Sequence, residues 1–227
     1  KARGIGFAIP INTAKRIVSD LIQYGEVIPA WTGVVVQRLD PRLVRYLGLP
    51  DDIKGVLVRE VETRSPAEKA GIRPGDVIFA VGGVPVESKS SFAGSLRKFA
   101  AGDKVVFDLM SGGERRRATL AAAIFPVEKA MDLSERILGI RIEDLTIANR
   151  TRYKVEAKEG VIIAKVAENS YLGEIGVLPG DVILKIDDTV VKNADDYKEA
   201  MVKYRMKSSA VILLQRENRG YYITVKF

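Results

Sequence analysis

Histidine and cysteine are both absent from this chain of 227 residues. Without cysteine there are no disulfides and no thiolate metal sites. Without histidine there is no Ser-His-Asp triad, no Cys-His pair and no imidazole ligand for a metal. Long apolar runs are missing too. The longest candidate, residues 118–125, falls well short of the roughly 18 residues a membrane helix needs, and Pro126 closes it. No glycine-rich stretch leads into Lys-Ser/Thr, which leaves no phosphate loop. Basic residues outnumber acidic ones for a net charge of +7, but they are dispersed and no recognition motif accompanies them, so nucleic acid is not an expected partner. Ser111-Gly112-Gly113 has the core of a protease nucleophile motif but the wrong flanks, Met110 and Glu114, and reads as a hairpin turn. Asp51-Asp52 and Asp187-Asp188 sit at turn-like places, where neighbouring carboxylates diverge. Neither a cofactor nor a metal is expected.

What is present is a repeat. Gly71-Ile72-Arg73-Pro74-Gly75-Asp76-Val77-Ile78 recurs 105 residues later as Gly176-Val177-Leu178-Pro179-Gly180-Asp181-Val182-Ile183. Aligning residues 55–99 with 160–204 gives 12 identities without a gap, where chance gives about three. One spacing that serves turns, apolar runs and aromatics together argues for a duplicated domain. The chain is long enough for two domains of about 100 residues each. Its hydrophobic content of 47% and charged content of 29% are those of a globular protein. In each octet Pro fixes φ, Gly takes a positive φ, Asp bonds to nearby amides and a β-branched run begins. The residues before it, 65–70 and 170–175, read as a single helical turn stopped by Gly71 or Gly176.

The run Ser65-Pro66-Ala67-Glu68-Lys69-Ala70 and the octet after it, followed by a strand, a loop and an amphipathic helix, resemble the PDZ domains of bacterial HtrA (Deg) proteases. Residues 4–27 resemble the last strand and C-terminal helix of the trypsin-like domain in the same family. That implies catalytic His, Asp and Ser upstream of Lys1, with no catalytic residue in this chain. The expected fold is α+β, mainly β: two PDZ-like, partly open β-barrels of 5–6 strands and two helices each. The expected order is a protease-domain remnant over 1–28, one PDZ domain over 29–126, a linker over 127–134 and a second PDZ domain over 135–227. The resemblance further implies a periplasmic or envelope location, unfolded polypeptides or C-terminal peptides as partners, contact with its own protease domain, and homo-oligomers.

A peptide groove of this kind needs a glycine turn that presents backbone N–H groups to a carboxylate, a strand with a free edge, and a facing helix. Two turns compete in the first repeat, Trp31-Thr32-Gly33-Val34 and Tyr46-Leu47-Gly48-Leu49. Gly33 lies 22 residues before Gly55, close to the 21 between Gly139 and Gly160, and this register favours Gly33. Val34, Val35 and Val36 then form the receiving strand, with Phe92, Leu96 and Phe99 on the facing helix, either as groove wall or as core. In the second repeat Ile137-Leu138-Gly139-Ile140 fits the family turn, with Arg136 beside it. Ile140, Arg141 and Ile142 form the strand there, and Tyr197, Met201 and Tyr204 the helix face. The linker over 127–134 is short and mixed in composition, and Arg115-Arg116-Arg117 reads as a charged hairpin that discourages edge pairing.

Overall fold

A computed structural model describes residues 27–50 and 53–226, together with Ile11, Ala14, Lys15, Val18, Leu21 and Ile22. Those six early positions are helical, and Val18, Leu21 and Ile22 are exposed. The strand expected over residues 4–10 and the Asp51-Asp52 pair lie outside the described residues. The chain divides into two units, Lys1–Ile124 and Phe125–Phe227.

The first unit contains β1 (Val34–Arg38), α1 (Pro41–Tyr46), β2 (Val56–Val61), α2 (Pro66–Lys69), β3 (Val77–Val81), β4 (Val84–Pro85), α3 (Lys89–Leu96), β5 (Lys104–Ser111) and β6 (Glu114–Ala121). The second contains α4 (Ala130–Leu138), β7 (Ile140–Asp144), α5 (Ile147–Tyr153), β8 (Val161–Val166), α6 (Tyr171–Glu174), β9 (Val182–Ile186), β10 (Thr189–Val190), α7 (Ala194–Tyr204), β11 (Ser209–Arg216) and β12 (Arg219–Lys226). Both sheets are antiparallel and run in the same order: β1-β2-β3-β5-β6 with β4 beside β3, and β7-β8-β9-β11-β12 with β10 beside β9. The mainly β, α+β architecture is therefore as expected. The helices are more numerous than two per unit. Asp40 caps α1 through bonds to the N–H groups of Arg42 and Leu43, and Pro41 starts it. Thr146 caps α5. Residues 127–134, read as a linker, carry a 3-10 turn at Val127–Lys129 and the first half of α4.

The octet works as its chemistry requires. Gly75 takes φ 94° and donates to Val58 O, while Asp76 Oδ2 accepts from Arg73 N–H at 2.9 Å. Gly180 and Asp181 repeat this with Ile163 O and Leu178 N–H. Sequence reading missed the arginine clamp on each buried aspartate. Arg116 donates to Gly71 O (2.6 Å) and Asp76 Oδ2 (3.4 Å). Arg216 donates to Gly176 O and grips both Asp181 oxygens at 2.6 and 2.8 Å, and Tyr221 OH adds a bond of 2.7 Å. Arg115 stacks on Phe79 and Arg117 pairs with Asp108, so the arginine triplet has three separate jobs within its own unit.

The first core gathers Val36, Val56, Val58, Ile78, Phe92, Leu96, Val105, Phe107 and Leu109 between sheet and helices. A smaller cluster of Leu57, Val77 and Met110 beneath Leu39, Leu43, Leu49 and Ile53 lies on the other sheet face. Ala157, Ile162 and Val182 with Leu145, Tyr153 and Val155 form its counterpart in the second unit. In each case a helix in the connection after the first strand covers a sheet face that would otherwise meet water.

Three outcomes test the clamp. Arg216→Met removes the bidentate partner of a buried carboxylate and is expected to lower the stability of the second unit by about 1–3 kcal/mol in denaturant titration. Arg116→Met, which loses one long contact to Asp76, costs the first unit less. Burial, with the Asp181 charge beside it, pushes the Tyr221 hydroxyl up to about 12 from 10.0. Its folded value is raised, so its contribution is present below pH 10.0 and lost as pH rises through about 12. Tyr221→Phe should flatten the fall of the second unit's denaturation midpoint over that window.

Candidate functional site

The bend that enters β1 is shaped by what it packs against. Gly33 has φ 80°, and a Cβ there would lie 2.1 Å from Ser65 Cβ. Ser65 is fully buried and caps α2 through a bond from Glu68 N–H. The same pair recurs: Gly139 has φ 68°, and its Cβ would lie 2.3 Å from that of Ser170, the cap of α6. Only glycine satisfies both the torsion and the contact. Register had picked Gly33 over Gly48, whose Cβ would meet nothing.

Around Gly33 the carbonyls turn into the domain. Thr32 O accepts from Ala67 N–H (2.9 Å) and Gly33 O from Glu62 N–H (2.8 Å). Thr32 itself is buried, and its Oγ1 accepts from Val34 N–H at 3.4 Å. Among the described residues, the N–H groups of Thr32 and Gly33 donate to no protein atom. Trp31 is fixed by a pair of 2.9 Å backbone bonds with Ala123, and its side chain is buried.

Backbone direction along β1 follows from its neighbours. Val58 bonds to Asp76 and Gly75 on the β3 side, so its partner Val36 turns its own N–H and C=O away from β2. Val34, flanked by positions bonded to β2, does the same. A bulge between Val35 and Val36 keeps both on the outer edge. Among the described residues no strand pairs with that edge. Of the facing helix residues, Phe92 and Leu96 belong to the core, with Phe92 6.3 Å from Phe107 between ring centroids. Val34 and Phe99 are half-buried and pack against that core from outside. The structure thus brings Thr32, Gly33, Val34 and Val36 to one edge, puts Phe92 and Leu96 mainly to packing, sets the Phe99 ring against Gly82 in the turn after β3, and turns Val35 to the opposite face from its neighbours.

The second unit departs from this plan. Arg136, Ile137 and Leu138 are the last turn of α4, and Gly139 is its left-handed C-cap, donating its N–H to Glu135 O at 3.1 Å. The amide expected to face a carboxylate is already bonded. α4 buries Ala130, Leu133, Ser134 and Leu138 along one face and packs against both β7 and α7. Ser134 Oγ bonds to Ile140 O (3.2 Å) and meets Tyr197 OH at 2.6 Å. Ile140 and Ile142 on β7, and Tyr197, Met201 and Tyr204 on α7, are all buried. Burial raises the Tyr197 hydroxyl above its ordinary 10.0, against the smaller opposing effect of Ser134. Arg141 is exposed and pairs with Glu135.

Sequence reasoning missed Ser134, though a signal was there. Ala130, Leu133, Ser134, Ile137 and Leu138 have helical spacing, and a glycine follows. It also recorded Ser65 and Ser170 as equivalent without seeing that they seat the two glycine bends.

A family model described as PDZ domain matches residues 32–121 and again residues 137–227. The chain is 31% identical over 217 residues to a Brucella suis protein named probable periplasmic serine endoprotease DegP-like, an alignment covering 95% of this chain and 42% of that protein. A Chlamydia muridarum protein of the same name is 29% identical, covering 94% of this chain and 43% of its own length. The chain thus spans under half the length of these relatives. A solved structure described as HtrA-type protease AlgW with decapeptide is 30% identical, covers 55% of this chain and 38% of that one, and superposes with a TM-score of 0.42. By its two matched regions and the repeated strand order, the chain belongs to the PDZ-domain family and carries two such domains in tandem.

Proposed function

We propose that the first PDZ domain takes the C-terminal end of an extended polypeptide as an added strand on β1. The carrying observation is the conjunction at Gly33. The N–H groups of Thr32 and Gly33 have no protein acceptor among the described residues, and they sit beside a strand edge that nothing pairs. A terminal carboxylate fits the two amides, and the ligand backbone fits the outward carbonyl of Val34 and the outward groups of Val36. The half-buried side chain of Val34 offers an apolar seat for the ligand's last residue. Thr32, where an apolar residue is usual, is buried, and its hydroxyl braces the bend by accepting from Val34 N–H while its amide is offered to the carboxylate.

The similarity to DegP-like proteins supports a wider reading. This chain is the peptide-binding and regulatory part of an HtrA-type serine endopeptidase of the periplasm, holding unfolded chains for a protease domain outside these residues. The second domain, with α4 packed over its groove residues, suits an assembly or regulatory role better than routine peptide capture.

Trp31 is the chain's sole tryptophan and adjoins the proposed carboxylate site, so its emission reports on the first domain alone. Titration with free-acid hexapeptides ending in Val, Ile, Leu or Phe is expected to shift Trp31 emission with dissociation constants of about micromolar size. Amidating the same peptides should weaken binding by about tenfold or more. An unchanged Trp31 signal across the series contradicts the site, and equal affinity for acid and amide contradicts carboxylate capture. The purified chain, lacking histidine, is expected to leave casein intact, and cleavage would overturn its non-catalytic assignment.

A further inference from the structure

We infer that α4 is an internal ligand of the second PDZ domain, a latch that must withdraw before β7 can accept a peptide strand. This rests on the strand-addition reading of the first domain and extends it to a site that is closed.

The helix uses the very atoms an incoming strand would need. Ile163 bonds to Asp181 and Gly180 on the β9 side, and Ala167 N–H donates to Gly139 O, so Ile140 and Ile142 turn their backbone groups outward, as Val34 and Val36 do on β1. The outward carbonyl of Ile140 accepts from Ser134 Oγ. The Gly139 N–H is bonded to Glu135 O. On the facing helix, Tyr197 OH meets the same Ser134 hydroxyl. Peptide and α4 therefore exclude each other at the turn, the strand and the helix.

The latch is held by its docking and not by its own stability. Nine residues are too few for a stable isolated helix in water. Its first turn has no side-chain cap, since Lys129 stands at the capping position. What fixes it is burial of Leu133 and Leu138 and the two contacts of Ser134. α4 is also continuous with the segment that leaves the first domain, through Val127–Lys129. Any event that draws this segment away also withdraws the latch.

The test uses the full 227-residue chain and the same hexapeptide series. Total bound peptide is measured by equilibrium dialysis, with Trp31 emission counting the first site separately. Hydrogen exchange follows residues 130–138. The wild type is expected to bind one equivalent. Leu133→Asp, which forces a charge against the docked face, should accelerate exchange over 130–138 at least tenfold and raise binding to two equivalents, while Ser134→Ala gives a smaller acceleration. Loss of protection without a second equivalent overturns the latch, as does unchanged protection in Leu133→Asp or two equivalents on a wild type whose helix stays protected. Should Leu133→Asp fail to fold, exchange of the wild type at millimolar peptide decides: tenfold faster exchange over 130–138 supports the latch, and no acceleration overturns it. Failure of the first site would show in Trp31 alone and is read independently.

Discussion

Each PDZ domain depends on a glycine bend seated against a helix-capping serine. Where Gly33 meets Ser65 and Gly139 meets Ser170, no side chain fits and the backbone must take a left-handed torsion. The serine caps the small helix that opens the repeated segment, and the glycine begins the edge strand. One contact therefore ties the octet to the site. The octet in turn is locked by a buried aspartate and an arginine from the last hairpin, so the bend rests on a chain of fixed parts that crosses the sheet.

With this frame held constant, the two domains differ in what precedes the bend. In the first, Pro29, Ala30 and Trp31 run extended, bridged to Ala100 and Ala123. In the second, the equivalent residues finish a helix. An extended lead-in leaves the amides of Thr32 and Gly33 without acceptors among the described residues. A helical lead-in spends the Gly139 amide on its own last turn and lays Leu133, Ser134 and Leu138 onto β7 and α7. The same fold and the same glycine thus give one strand edge that no strand pairs among the described residues and one beside which a helix is packed.

The parts legible in sequence were those set by local chemistry. Pro-Gly-Asp announced the turns, Ser65 and Ser170 the helical turns, and the constant offset the duplication. The alternation in Ile140, Arg141 and Ile142 placed an edge strand correctly. Less legible was whether an apolar residue faces a ligand or its own protein. Phe92 and Leu96 have the spacing of a groove wall, yet the need to fill the space beside Phe107 claims them. Tyr197 and Met201 have that spacing too, yet both are buried, Tyr197 with its hydroxyl on Ser134 of α4. Helical periodicity before Gly139 was there to be read, but in nine residues rich in charge it resembled a linker. Arg116 and Arg216 had no local signal, because their partners lie 40 and 35 residues away.

The central claim is that the bend at Gly33 with its open edge is where peptide enters. Backbone amide chemical shifts of the full chain, recorded as a free-acid hexapeptide is added, test it most directly. The account predicts the largest changes at Thr32, Gly33, Val34 and Val36, with Gly139, Ile140 and Ile142 nearly still. Largest changes on the second domain's β7, or on the far edges β6 and β12, would contradict it.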